Sequence, residues 1–228
     1  MHQQSWPALQ MHDVFRIFRS GPVETVALRG VELRIDPAEM VAVHGPSGCG
    51  KSTMLALAAA LDQPSAGEVR VSDRSLQRVS EDELAAYRAR EVAIVFQSDN
   101  LWPQLSAREN VVLSLRLADV PGAEAAERAE EALRSFGLAE RAAHRAAALS
   151  GGEQQRVAIA AAFARRAPLV LADEPTGELD AGNEGRVLEA LGELRARSGS
   201  ATVVVTHSAT VAAAADRVIE MRDGKAVG

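Results

Sequence analysis

The 228-residue sequence has a single cysteine, Cys49, so an internal disulfide is impossible and a reducing compartment is expected. Aromatic residues make up only 4% of the chain, so the core must be built from Val, Leu, Ile and Ala, with closely packed helices. There is no basic excess: the formal charge is −6, and a general nucleic-acid binder, which normally shows a basic stripe, is excluded. No charge-free apolar run reaches the roughly 18 residues needed to span a bilayer. The N-terminal stretch "MHQQSWPALQMHDVF" lacks the basic start and apolar run of a signal peptide. The expectation is a cytosolic chain that touches a membrane only through a partner.

Short runs rich in Val, Ile and Leu occur at Met40–Val43, Val92–Phe96, Leu169–Ala172, Thr202–Thr206 and Arg217–Met221. Most show no polar alternation, as expected of strands buried on both faces of a parallel sheet. Helical patterns lie between them, at Lys51–Leu61, Glu81–Ala89, Glu124–Ser135, Gly152–Arg165 and Gly182–Arg197. The alternation predicts an α/β fold with a mostly parallel sheet. Within Leu9–Pro37, "VALRGVELRI" alternates and predicts antiparallel strands. Residues 98–166 carry almost no strand signal and read as an inserted helical subdomain. One domain is expected over 1–228, with 1–97 and 167–228 as its core. The Ala-rich runs 56–60, 123–132 and 212–215 favour helix.

The stretch "VHGPSGCGKST" follows the apolar run "MVAV". Gly45, Pro46, Ser47, Gly48, Cys49, Gly50, Lys51 and Ser52 fit G-x-x-x-x-G-K-[ST]. In such a loop, backbone N–H groups turn inward at an anion and the following helix adds its positive dipole end. Lys51 would reach the β- and γ-phosphates, the Ser52 hydroxyl would ligate Mg²⁺, and Thr53 lies beside it. This loop predicts nucleotide binding without choosing among GTPases, kinases and ATPases.

Further stretches choose. "LVLAD" delivers Asp173 to the sheet edge, where a carboxylate can hold Mg²⁺ or its waters. Glu174 follows, placed for a general base, a role that contributes about 10²–10⁴-fold. Gln97 follows the strand "VAIVF", and its neutral amide can reach the Mg²⁺ shell or the attacking water. "LSGGEQQ" presents a hydroxyl and two glycines at a second helix start, from Ser150 through Gly151 and Gly152 to Glu153. His207 ends the strand "VVVTH", and "DEPTGELD" places Asp180 shortly after the carboxylates.

In order and content these stretches resemble the ATP-binding subunits of ABC transporters over the whole chain. "LDQPSAGEV", "NLWPQLSARENV" and "DEPTGELD" are most similar to the lipoprotein-release and macrolide-efflux branch with its cell-division relative. The resemblance implies ATP hydrolysis with Mg²⁺. It implies a head-to-tail dimer, homo- or heteromeric, in which Ser150, Gly151, Gly152, Glu153 and Asp180 of one copy face the phosphate loop of the other. It makes His207 a switch residue that contacts the γ-phosphate and holds Glu174. It makes Phe18 the aromatic that stacks on adenine where the family has Tyr, with Phe15 as the competing candidate. It implies an integral-membrane permease docked on Gln97–Asn110 and the nearby helices, with the chain peripheral on the inner membrane face. The same motifs serve relatives that act as mechanical switches in cell-wall control. A soluble ATPase of translation or DNA repair fits a single acidic cassette less well, and intact Glu174 and His207 disfavour a module that only sequesters nucleotide.

The sequence departs from that family at Ala38, where Gly precedes Glu, and at Ala161, where Arg is usual. It departs again at Cys49, where Ser is common. If the turn at Ala38 needs positive φ, Ala costs about 1 kcal/mol there. A thiol beside a helix start and Lys51 is either reactive or an inert small residue, and the sequence leaves both readings open.

Overall fold

The computed structural model describes residues 6–177 and 179–227. In chain order, β1 (Leu9–Ser20) and β2 (Val23–Ile35) form a hairpin, and β3 (Met40–His44) leads into α1 (Lys51–Ala58). β4 (Ala66–Val71), β5 (Arg74–Ser75), α2 (Glu81–Arg90) and β6 (Val92–Val95) follow. Next come α3 (Ala107–Leu117), α4 (Gly122–Ser135) and α5 (Gly151–Arg165). The chain closes with β7 (Leu169–Asp173), α6 (Ala181–Ser198), β8 (Ala201–Thr206), α7 (Ala209–Ala213), β9 (Arg217–Arg222) and β10 (Lys225–Val227).

The expected α/β architecture is present, with an antiparallel sheet ordered β2-β1-β4-β5 and a second sheet ordered β10-β9-β3-β8-β7-β6. In the second sheet every pairing from β9 to β6 is parallel, and only β10 runs antiparallel. Successive side chains of a strand point to opposite faces, and the core divides accordingly. Val41, Val43, Leu169, Leu171, Val203 and Val205 share one apolar cluster with α1 and the antiparallel sheet. Met40, Val170, Ala172 and Val204 share another with α3, α4, α5 and α6. The sheet is therefore covered on both sides, which is why its strands read as unbroken apolar runs.

Four elements differ from expectation. α1 stops at Ala58, not Leu61, because Ala60 takes a left-handed φ of 53°. β4 and β5 complete the antiparallel sheet, although the sequence marks no strand there. The stretch Gln97–Asn110, read as a loop, already contains the first turn of α3. Ser106 and Glu109 form a reciprocal capping box at that helix start, with Glu109 N–H donating to Ser106 Oγ and Ser106 N–H donating to Glu109 Oε2. The condition set at Ala38 is met: its φ is 59°, in a turn where Glu39 N–H donates to Asp36 O. An L-residue in that region carries about 1–2 kcal/mol of strain.

Candidate functional site

Four adjacent parallel strands, β3, β8, β7 and β6, end on one edge of the second sheet. His44 pairs with Thr206, Asp173 with Val205, and Ala172 with Val95. The segments that leave these ends carry the phosphate loop, His207, Glu174 and Gln97 in that spatial order. This register brings together residues far apart in sequence.

The loop from Gly45 to Gly50 is held by close backbone packing. A Cβ on Gly45 would lie 2.2 Å from the Met221 carbonyl oxygen, and one on Gly50 would lie 2.5 Å from that of Ala27. Gly50 also has a φ of 105° and stands as the N-cap of α1, with no side-chain cap. The first N–H groups of α1 thus have no capping side chain, and Pro46, Ser47 and Gly48 lie exposed around them. Lys51 is 8% exposed and curls over the loop, donating to Gly45 O at 2.7 Å and Pro46 O at 3.1 Å. Ser52 is exposed beside it and Thr53 half-buried. This is a cradle of donors with a buried cation at its centre, suited to polyphosphate.

Asp173 closes the cradle from β7. Its Oδ1 is buried without a hydrogen-bond partner, and the nearby Ser52 hydroxyl favours the ionised carboxylate. Burial pushes the Asp173 carboxyl up from its ordinary value, against the pull of Ser52 and Lys51. An orphaned carboxylate oxygen beside a hydroxyl is what a hard cation takes, and a cation there would reverse the burial penalty. Among the described residues no group of three His, Cys, Asp or Glu could hold a metal alone, so a cation here needs phosphate oxygens as well. Ser52 and Asp173 fit Mg²⁺ on those terms.

Glu174 sits one residue past β7 in a left-handed conformation, φ 46°, anchored by its N–H to Val205 O. Its side chain is 17% exposed, and His207 grips it twice. His207 Nδ1 lies 2.9 Å from Glu174 Oε2, and the His207 backbone N–H donates to the same oxygen at 3.2 Å. Gln97 is exposed, with its amide nitrogen against Gly177, where an added Cβ would lie 3.2 Å away.

The second helix start is built differently. Ser150 N-caps α5 in a capping box: Glu153 N–H donates to Ser150 Oγ, and Ser150 N–H donates to Glu153 Oε2. Arg141 Nε donates to Glu153 Oε1 at 2.8 Å. Arg141 first, and then the Ser150 N–H, hold the Glu153 carboxyl down at about 2. The sequence reading grouped Glu153 with the nucleotide contacts, but its carboxylate is committed within the chain and fixes Ser150 in place. Gly152 is buried because a Cβ there would meet the Asn183 side chain at 2.5 Å. Asp180 N-caps α6, accepting from the Asn183 N–H at 3.0 Å and from Asn183 Nδ2 at 2.8 Å, and those bonds hold its carboxyl below the usual range. Arg141 and Asn183 are absent from the sequence expectations, since no spacing marks them. Glu178, in the same stretch, lies outside the described residues.

Phe18 is 42% exposed, with the Arg16 guanidinium 4.5 Å above its ring, whereas Phe15 packs against Gly30. Of the two phenylalanines, Phe18 is the one with an exposed ring, one face of it under Arg16. Cys49 is 5% exposed and joins the apolar core, its sulfur packed near Gly45. That favours the inert reading over the reactive thiol: a side chain this buried acts as a small hydrophobe.

Comparison with known proteins agrees with this geometry. Residues 28–177 match the family model described as ABC transporter. The lipoprotein-releasing system ATP-binding protein LolD 1 of Rhodospirillum rubrum is 43% identical over 220 residues, covering 96% of this chain and 97% of that one. The macrolide export ATP-binding/permease protein MacB of Rhodopseudomonas palustris is 45% identical over 219 residues, covering 96% of this chain but 33% of its own length. The chain thus spans about a third of the MacB relatives it matches. A dimeric ATP-binding cassette solved in a post-hydrolysis state bound to ADP and Pi superposes with a TM-score of 0.88 at 38% identity, covering 96% of this chain and 97% of that one.

Proposed function

The chain belongs to the ABC transporter family of ATP-binding cassettes, and from that premise we propose that it closes with a second copy over ATP, hydrolyses it and drives a membrane permease. The observation that carries this reading is the row of four strand ends that sets the phosphate loop, His207, Glu174 and Gln97 along one edge.

The loop N–H groups and Lys51 bind the phosphates. Ser52 and Asp173, with Gln97, would hold Mg²⁺, which neutralises phosphate charge when bound. Glu174 takes a proton from water as the water oxygen bonds to the γ-phosphorus, and the bond from that phosphorus to the β-phosphate bridging oxygen breaks. His207 keeps the Glu174 carboxylate aimed through two contacts to one oxygen, leaving the other to accept the proton. Phe18 offers its exposed ring to the base.

The second copy is needed because α1 and α5 pack on opposite faces of the sheet. One chain does not bring both helix starts to one phosphate. Ser150, Gly151 and Gly152 of the partner complete the pocket, with Glu153 as the clamp behind them and Asp180 at the joint between sites. That a similar cassette is dimeric supports this arrangement.

Among the described residues no helix is long and apolar enough to cross a membrane, so the permease is a separate partner or a separate part of a longer protein. Its docking surface is the helical segment 98–166, where Trp102 and Leu117 stand exposed around a groove lined by Asn100, Asn110 and Leu113. The relatives, a lipoprotein-releasing system and a macrolide exporter, support export or extraction as the work done. Phosphate release from Mg-ATP by the purified chain tests the reading. Release abolished by Lys51→Ala is expected; release that is absent from the parent with its membrane partner, or unaffected by Lys51→Ala, contradicts it.

A further inference from the structure

A cavity of about 350 Å³ opens between the C-terminal end of α4 and helices α5 and α6, away from the phosphate loop. Ser135, Gly137, Arg156, Arg186, Glu189 and Glu193 are among its lining residues. Arg156 stands on α5, six residues after Ser150, and its Nη1 is buried with no acceptor. Arg186 stands on α6, six residues after Asp180. Among the described residues neither arginine pairs with a carboxylate, and neither Glu189 nor Glu193 pairs with a cation.

Two guanidiniums facing one cavity without a direct ion pair, with Glu153 and Asp180 acting on them only at longer range, are an unusual arrangement. Burial first, and then the nearby Arg186 charge, lowers the Arg156 pKa from its ordinary value. An isolated buried donor is destabilising, more so when charged, unless something accepts from it. Planar guanidinium forks match phosphate oxygens. When ionised, Glu189 and Glu193 on the same wall can only accept, so they suit the donor-bearing end of a ligand and repel a bare polyanion.

We propose that this cleft binds a small phosphate monoester, its phosphate between Arg156 and Arg186 and an amine or hydroxyl end toward Glu189 and Glu193. The ligand bridges α5 and α6, the helices that begin at Ser150 and Asp180, and so fixes the spacing of the two helix starts offered to a second copy. The inference goes beyond the nucleotide reading and needs no catalytic residue.

Calorimetric titration with aminopropyl phosphate, using propyl phosphate for comparison, tests it on the full chain with and without saturating ADP. A site that persists with ADP present is expected, together with tighter binding of the amine-bearing probe and about tenfold weaker binding in Arg186→Gln. Arg156→Gln should weaken binding similarly; because Arg186 is exposed, its variant decides the matter should Arg156→Gln fold poorly. Unchanged affinity in Arg186→Gln, or no binding by the parent, overturns the site. Equal affinity for the two probes overturns the ligand class. Failure of ADP itself to bind would count against the nucleotide reading, while the Arg186 dependence of the phosphate response would still decide the cleft.

Discussion

At the start of α1 no side chain caps the helix, no acidic residue lies in the first turn, and a buried lysine arches over the loop. At the start of α5 a serine caps the helix, a glutamate returns the bond, and an arginine holds the glutamate. The first start leaves its N–H groups to a ligand. The second satisfies one of its own and places a carboxylate three residues along, which weakens its pull on an anion. Its Ser150 hydroxyl is bonded to Glu153 Oε2 and its Gly152 is buried, so on the proposed reading it meets a phosphate already held elsewhere. The two starts are not interchangeable: under the proposed function one holds the nucleotide and the other closes on it from a second copy.

The comparison can be broken or sharpened by substitution. The largest effect is expected at Glu174, which both starts serve. Glu174→Gln should lower phosphate release about 10²–10⁴-fold, measured at saturating ATP, without weakening ATP binding. Lys51→Ala should weaken ATP binding itself about 10- to 100-fold in an equilibrium titration, because charge-assisted bonds to phosphate are lost. Ser150→Ala should leave that titration unchanged in the single chain yet cost about 1 kcal/mol in denaturant unfolding, the usual worth of an N-cap. Loss of ATP affinity in the isolated Ser150 variant would erase the distinction between the two starts.

Acid sharpens it further. The folded Glu153 carboxyl lies at about 2, below its ordinary 4.5. A lowered acid value means that its stabilisation is present above pH 4.5 and is lost as pH falls from there toward 2. Glu153→Gln should therefore unfold more easily than the parent at neutral pH, and the gap should close across that window. A gap that is constant with pH would remove the Arg141 clamp. The smallest effect is expected at Ala38→Gly, which relieves a left-handed alanine but frees the unfolded chain. It should raise stability by about 0.5 kcal/mol in the same unfolding assay.

Much of this was legible in the sequence because it depends on local pattern. Four buried strands, β3, β6, β7 and β8, carry apolar runs, and the phosphate loop sits where one of them ends. What was not legible depends on packing. β4 is short and half polar, and it becomes a strand only because β1 offers it an edge. α3 lay hidden inside a stretch read as a loop, although Ser106 and Glu109 carry a helix-start signal three residues apart. The depth of Cys49 follows from its sulfur packing beside Gly45 in the apolar core, which no spacing shows. The Glu174–His207 contact requires the β7–β8 register, in which Asp173 opposes Val205. The Arg156–Arg186 cleft joins two helices through a shared cavity and leaves no motif at all.

The central claim is that one chain supplies only half of each nucleotide pocket. Light scattering coupled to size-exclusion chromatography on Glu174→Gln, with Mg-ATP and with Mg-ADP, tests it most directly. The account predicts twice the protomer mass with ATP and a single protomer with ADP. A single-protomer mass with saturating ATP, in a sample shown to bind it, would contradict the account.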